Sequence, residues 1–459
     1  MQKQECIALN IVIIGNGKVG SYLAEQLLRD KHRLTIIDMD EKAVEAAESL
    51  DAMAVQGSGS CLSVLKNANV GSCDILIAVT GSDEVNMLCC LLGKRLGARY
   101  TIARVRDTIY NEDIDTLKKE LSIDLTINPE FVTAREITRM LQFPQACEIE
   151  TFCNGRLEMV SLRVEGREFL VGETLSDIMK RHNPGVLFCV VERGEETYIP
   201  NGSFRIEKDD KLHIIGSTAS LIRLYRNLGR YSAKIGNVMI TGGSRISYYL
   251  CRQLEKLGIK TKLIEIKPEK CTTLSTQLRN TMVLNGDGTD QEVLSSENLG
   301  AMDAFVSLTN RDEDNLITAL YAVQIGVTKV IAKNNRTHYS NIVQKLGLDG
   351  IISPKVVTGN QILRFVRGLD NSEGSEMLTL YQIAGGKAEI MEFHIGSEAR
   401  YIGVKLKNVP TLSNVLIAAI LRNGQIIIPG GDTEMHAGDN VVIVTTDLNV
   451  KQFDDIFSD

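Results

Sequence analysis

The chain alternates short, almost wholly apolar runs with longer amphipathic stretches. Residues 9–14 are rich in Ile and Val, and after a glycine-rich turn Val19, Leu23 and Leu27 recur at i, i+4 and i+8, one face of a helix. Residues 34–37, Ala54-Val55 and residues 75–79 give three further apolar runs. Asp83 and Glu84 then open a helix that carries Met87, Leu88, Leu91 and Leu92. Residues 101–105 predict a fifth strand and Leu125-Thr126-Ile127 a sixth. Strands buried on both faces read as continuous apolar runs, and their alternation with helices predicts a parallel, doubly wound sheet. A helix over residues 130–141 carries Ile137, Met140 and Leu141 on one side. Such a stripe is usually core.

The turn after the first strand reads Gly15-Asn16-Gly17-Lys18-Val19-Gly20. A strand, this GxGxxG turn and a helix form the fingerprint of a Rossmann-like dinucleotide site. Gly15 permits the sharp turn, Gly17 leaves room for a pyrophosphate, and Gly20 lets helix and strand pack closely. Backbone N–H groups of Gly17, Lys18 and Val19 point at the anion, helped by the positive end of the helix. The second strand ends at Asp38, placed to accept the hydroxyls of an adenosine ribose. Met39, Asp40 and Glu41 follow, with no Arg for a 2′-phosphate, which favours NAD or an adenine nucleotide over NADP. Ser58 and Gly59 follow the third strand and border the adenine, or Ser58 is a plain turn residue. Thr80 and Gly81 end the fourth strand at the switch point, as ligand residues or as a simple turn. Arg104 ends the fifth strand, to pair with a phosphate or to lie solvated. Asp83, Glu84 and Asp40 read as solvated or helix N-terminal charges.

The order then repeats. Gly242-Gly243-Ser244-Arg245-Ile246-Ser247 follows Val238-Met239-Ile240, and Gly15 meets Gly242 at an offset of 242 − 15 = 227. Asp38 meets Glu265 at the same offset. At an offset of 229, Gly57-Ser58-Gly59 meets Gly286-Asp287-Gly288, Thr80 meets Thr309, Asp83 meets Asp312, Asn86 meets Asn315 and Arg104 meets Lys333. A strand-rich module trails each copy: Leu157-Glu158-Met159, residues 161–164, 186–191 and 211–215 in the first, residues 415–421 and 441–444 in the second. The expected fold class is α/β, with two Rossmann-like doubly wound parallel sheets over residues 8–130 and 235–355. A helix and a small α+β domain follow each, over residues 131–230 and 356–459. Linkers are expected at Gly229-Arg230-Tyr231-Ser232-Ala233-Lys234 and at Asn371-Ser372-Glu373-Gly374-Ser375.

Composition narrows the function. A net charge of −7 gives no footing for broad nucleic-acid binding. No apolar stretch reaches the roughly 20 residues of a membrane span, and residues 1–5 lack a signal peptide's apolar region. Ten cysteines without CxxC spacing suit a reducing cytoplasm, and six histidines without HxxxH or HExxH spacing argue against a metal site.

With these motifs in this order the chain resembles the TrkA family, the regulatory proteins of Trk-type potassium uptake. The resemblance covers nearly the whole chain. It rests on the first fingerprint with Asp38, on Ala78-Val79-Thr80 followed by Asp83-Glu84 and Asn86, and on Ile102-Ala103-Arg104. The duplicated module, with Pro200-Asn201-Gly202 and Pro429-Gly430-Gly431 before Asp210 and Asp439, adds to it. Each half resembles an RCK (KTN) domain followed by an RCK-C domain. The resemblance implies a regulator rather than an enzyme, cytoplasmic and peripheral on the inner face of the cell membrane. It implies binding of NAD (NAD+ or NADH) and of ATP or ADP, and gating of a Trk-type potassium channel subunit without nucleic-acid binding or lipid insertion. RCK rings have eight lobes, so two lobes per chain imply a homotetramer. The faces Ile137-Met140-Leu141 and Ile362-Leu363-Phe365-Val366 are its expected interfaces.

Ser244 and Ser247 stand where the family's glycines sit, and Arg245 adds bulk at the turn. Gly242, Gly243, Ser244, Ile246 and Glu265 therefore mark either a second nucleotide site or a pseudo-site kept for symmetry. Three other functions compete with this one. Regulation of a different cation transporter or antiporter fits the same modules. An NAD-dependent dehydrogenase needs a general acid or base near the nicotinamide, and no Tyr-x-x-x-Lys pair offers one. A DNA-binding repressor needs a basic helix-turn-helix segment, for which the four modules leave no room.

Overall fold

The computed structural model describes residues 8–110, 113–142, 148–152, 157–164, 169–182, 185–228, 235–335, 348, 350–370, 377–447, 450 and 452–458. Residues 1–5 and both expected linkers lie outside the described residues. The chain forms two compact units, residues 1–142 with 235–363 and residues 143–234 with 364–459.

The first unit contains two lobes of one design. In the first lobe, β1 (Asn10–Ile14), α1 (Lys18–Arg29), β2 (Arg33–Asp38), α2 (Glu41–Glu48) and β3 (Met53–Gln56) make the first half. After α3 (Leu62–Asn67), β4 (Ile75–Ala78), α4 (Asp83–Leu96), β5 (Tyr100–Arg104), α5 (Ile114–Glu120) and β6 (Leu125–Ile127) make the second. The sheet runs β3-β2-β1-β4-β5-β6 and is parallel throughout. Its central strands are buried on both faces, which is why they read as unbroken apolar runs. The order reverses between β1 and β4, so the ends of these strands open a crevice.

The second lobe repeats this with β12 (Asn237–Thr241), α9 (Arg245–Lys256), β13 (Lys260–Glu265), α10 (Pro268–Gln277), β14 (Thr281–Asn285) and α11 (Gln291–Ser296). β15 (Ala304–Ser307), α12 (Asp312–Gln324), β16 (Lys329–Lys333) and β17 (Gly350–Ile352) complete it, in the order β14-β13-β12-β15-β16-β17.

The helix after each sheet crosses to the other lobe. α6 (Pro129–Gln142) sets Ala134, Ile137 and Leu141 into the second lobe's core, against Ile246, Tyr249, Leu250 and Leu254. Phe131 meets Tyr249 edge-on at 5.6 Å, and the Thr138 hydroxyl donates to Gln253 Oε1 at 3.0 Å. In return α13 (Pro354–Asp370) reaches α1, where the Tyr22 hydroxyl donates to Asn360 Oδ1 at 2.9 Å. Gly359 is needed there, because a Cβ would lie 2.3 Å from the Tyr22 ring. Ile362, Leu363 and Val366 are buried as well. The two apolar helix faces expected at a subunit interface are thus covered inside the chain. The period-3.6 stripe was read correctly, but sequence alone does not say which surface takes it.

The second unit holds two five-stranded antiparallel sheets. The first runs β10-β9-β11-β8-β7, from β7 (Glu148–Phe152), β8 (Leu157–Arg163), β9 (Val186–Arg193), β10 (Glu196–Tyr198) and β11 (Lys211–Gly216). α7 (Leu175–His182) and α8 (Thr218–Asn227) flank it. The second has the same spatial order in β18 (Met377–Ile383), β19 (Ala388–His394), β20 (Val415–Arg422), β21 (Gln425–Ile427) and β22 (Asn440–Thr445). The two short strands expected over residues 157–164 are one strand, because both faces of β8 are buried and no turn residue interrupts it. The stretch matching α7 is a single 3-10 turn, Leu406–Asn408, with Pro410 just beyond to stop it. Phe152, Val190 and Ile215 of one sheet share a core with Ile390, Ala419 and Val444 of the other.

Candidate functional site

In the first lobe the glycine turn closes against the end of β4. Gly15 sits at φ +100°, its N–H donates to Ile37 O at 2.8 Å, and a Cβ would crowd the Thr80 backbone at 3.0 Å. Gly20 is fixed by contact, since a Cβ there would fall 1.9 Å from Gly15 O. At Gly17 a Cβ would meet nothing within 4 Å among the described residues. Gly17 is also the N-cap of α1 and supplies no side-chain cap. The first-turn N–H groups of Lys18 and Val19 make no backbone hydrogen bond among the described residues, which is the anion-binding arrangement of a helix N-terminus.

Asp38 is half-buried at the end of β2, and its carboxylate accepts from Asn16 N at 2.6 Å and Asp40 N at 2.9 Å. Each oxygen keeps a lone pair for a ribose hydroxyl. The Asn16 amide donates to Ala43 O at 2.7 Å, and its buried Oδ1 has no partner among the described residues. Ser58 holds its own turn, with Oγ 2.8 Å from Ser60 Oγ, while Gly59 packs under Ile14. Ser58 thus holds its local turn. Gly81 is exposed, with open space around its Cα.

Thr80 and Arg104 are tied together by a residue that the site reading missed. Asn86 is fully buried, and its Oδ1 accepts from Thr80 N at 2.8 Å and Thr80 Oγ1 at 2.7 Å. Its amide donates to Thr80 O at 3.3 Å and Arg104 O at 2.9 Å, clamping the ends of β4 and β5. The Arg104 guanidinium also donates to Thr80 O, and its Nε is buried without a partner among the described residues. Burial, and then Arg106, hold its pKa below the usual arginine value. Arg104 is therefore a half-buried cation, not a solvated surface one. Asp83 opens α4, as expected of a helix N-terminal charge, but it is not solvated. It is buried and accepts from Arg106 N at 2.7 Å and Asp107 N at 2.8 Å, so it orders the loop after β5. The signal for both was the recurrence of Asn86 as Asn315 and Asp83 as Asp312.

The second lobe rebuilds the same frame with different side chains. Gly242 has φ +91° and donates to Ile264 O at 2.8 Å. Glu265 accepts from Gly243 N at 2.6 Å and Lys267 N at 2.9 Å, the same two backbone donors that hold Asp38. The longer Glu side chain fits because residue 243 is Gly, where a Cβ would lie 2.8 Å from Glu265 Oε2. Asn315 repeats the clamp on Thr309 and Lys333. The helix start differs. Ser244 and Ser247 form a capping box, and the Ser247 hydroxyl also donates to Gly242 O. The serine that replaces the packing glycine is thereby satisfied, but it takes the Ser244 N–H, one of those an anion would use. Ile246 is buried beneath the turn. The crevice is open, about 340 Å³, lined by Gly242, Gly243, Ser244, Glu265, Thr309 and Arg311 among others. A neighbouring cavity of about 480 Å³ brings Lys18 of the first lobe to Arg311, Asp312 and Lys355 of the second.

A family model for the TrkA-N domain matches residues 11–129 and 238–354, and one for the TrkA-C domain matches residues 159–229 and 390–458. The Trk system potassium uptake protein TrkA homolog 1 of Methanosarcina mazei is 32% identical over 443 residues, spanning 95% of this chain and 97% of that one. The Trk system potassium uptake protein TrkA of Haemophilus influenzae is 31% identical over 457 residues, spanning 98% of each. Among solved structures, the GsuK channel bound to NAD aligns with a TM-score of 0.63 at 18% identity, spanning 97% of this chain and 78% of that one. That likeness is one of fold.

Proposed function

The chain belongs to the TrkA family, and on that premise we propose that it is the nucleotide-binding regulatory subunit of a Trk-type potassium channel. The observation that carries this reading is the pairing of an uncapped helix start at Gly17 with the Asp38 carboxylate, held by two backbone N–H groups. Gly15, Asn16, Gly17, Lys18, Val19 and Gly20 cradle the pyrophosphate and Asp38 takes the ribose. Ser58 and Gly59 border the adenine, and Thr80, Gly81 and Arg104 face the phosphates or the second nucleoside. NAD(H) and ATP or ADP compete there. In the second lobe Gly242, Gly243, Ser244, Ile246 and Glu265 form a second site, with a weaker backbone cradle. A nucleotide shifts the conformational equilibrium only by its differential affinity for the two states, and the channel feels that shift as a change in ring geometry. The protein works from the cytoplasmic face without entering lipid; no helix among the described residues is long and apolar enough to cross a membrane.

Four chains complete the ring. With the crossover faces covered, the support for assembly moves to other residues. Leu88 on α4 and Ile317 on α12 are 42% and 64% exposed and are repeat equivalents, since 317 − 88 = 229. Apolar residues exposed at matching places in both lobes suit a repeated interface. Light scattering should give four times the 50.6 kDa chain mass. Affinity capture from detergent-solubilised membranes should recover a potassium channel subunit. A monomer unchanged by NADH or ATP, or recovery of an antiporter in its place, overturns the proposal.

A further inference from the structure

The two crevices differ in charge at the ribose end. In the first lobe Asp38 is followed by Asp40, which caps α2 by accepting from Lys42 N at 3.1 Å, and by Glu41. At the equivalent places, 227 residues on, the second lobe has Lys267 for Asp40 and Lys270 for Ala43. Both lysines line the second-lobe crevice beside Glu265. Lys270 also lines an adjoining cavity of about 350 Å³ with Gly243 and Ser244. Both are exposed, and neither ammonium forms an ion pair or hydrogen bond with the described residues. The capping box of α9 meanwhile occupies the Ser244 N–H, the counterpart of Gly17's. Attraction for anions in this crevice has shifted in part from the backbone to side chains.

We propose that the second-lobe crevice takes an adenine dinucleotide bearing a phosphate on its adenosine ribose, and that the first-lobe crevice rejects it. This rests on the nucleotide reading of both crevices. A ribose phosphate carries nearly two negative charges at neutral pH. In the second lobe it meets two free ammonium groups beside Glu265 and Asp287, in the first Asp38, Asp40 and Glu41 beside Lys42. Glu265 and Asp38 are held alike by two N–H donors, so the lysines make the difference.

Titration calorimetry of the full-length protein with NADH and NADPH tests this. NADH should fill two sites per chain and NADPH one. Glu265→Ala should weaken NADH at the second site without weakening NADPH there, and Asp38→Ala should leave the NADPH site unchanged. Lys267→Ser with Lys270→Ala should lower the NADPH-to-NADH affinity ratio at that site at least tenfold. The proposal is overturned if NADPH fails to bind while NADH does, if it fills both sites, or if the double variant keeps the ratio. Absence of NADH binding at either site would instead refute the nucleotide reading itself.

Discussion

Asp38→Ala probes the first-lobe site most directly. The carboxylate sits at the C-terminal end of β2 and already accepts two backbone N–H bonds, at 2.6 and 2.9 Å. It is half-exposed, so water can replace it on both donors, and the cost to folding should be about 1 kcal/mol. The cost to a nucleotide is larger. Hydrogen bonds from ribose hydroxyls to a charged acceptor contribute about 1.5–3 kcal/mol, which is roughly a ten- to hundredfold loss of affinity. Calorimetry with NADH measures the loss, and thermal unfolding checks that the variant is folded. Glu265→Ala should do the same in the second lobe, so the pair assigns each binding event to its lobe. A folded Asp38→Ala protein that binds NADH at both sites as the parent does would refute the ribose role.

Gly20→Ala should prevent normal folding of the first lobe or cost it more than about 3 kcal/mol, because the added Cβ falls 1.9 Å from Gly15 O. Gly17→Val should leave the melting temperature nearly unchanged yet abolish NADH protection, and the two variants compared by thermal shift separate packing from binding. Asn86→Ala should lower stability by about 2–4 kcal/mol in urea unfolding, since it strips Thr80 and Arg104 of buried partners; a loss under about 1 kcal/mol would contradict the clamp. Asp439 predicts a pH effect. Burial pushes its carboxyl up, but two Arg422 contacts at 2.8 and 2.7 Å and His436 N at 2.8 Å outweigh that and hold it below the usual range. A depressed carboxyl stabilises the fold fully above the unfolded value near pH 4 and loses that contribution as pH falls through the folded value. Asp439→Asn should therefore lower the melting temperature at pH 7 and flatten its fall below about pH 4.

Much of this was readable from residues because parallel strands and glycine turns obey strict local rules. Gly15 and Gly20 were identified by spacing, and the contacts with Thr80 and Gly15 O explain them. The exchanges of Asn16 for Gly243 and of Asp38 for Glu265 lie 22 residues apart in the chain. In three dimensions they compensate, a longer acid with a smaller turn residue. Asp83 stands at the helix start, as read, but polar residues there are usually solvated, and only the distant loop after β5 shows that it is enclosed. Ile137 and Leu141 were seen as an apolar stripe, but their target lies over a hundred residues further on. Hydrophobic period reports that a face is buried, not what buries it.

The crossover of α6 also bears on how the protein is made. A ribosome finishes that helix with its apolar face uncovered, and the surface that covers it, Ile246 to Leu254 on α9, has not been synthesised. From Leu141 to Leu254 there are 254 − 141 = 113 residues. At roughly 5–20 residues per second the nascent chain exposes Ile137 and Leu141 for roughly 5–20 s. Sticky surface displayed that long on every polysome is an invitation to neighbouring nascent chains, so production of this protein should depend on chaperones that shield helices early. The N-terminal half expressed alone would never receive its cover.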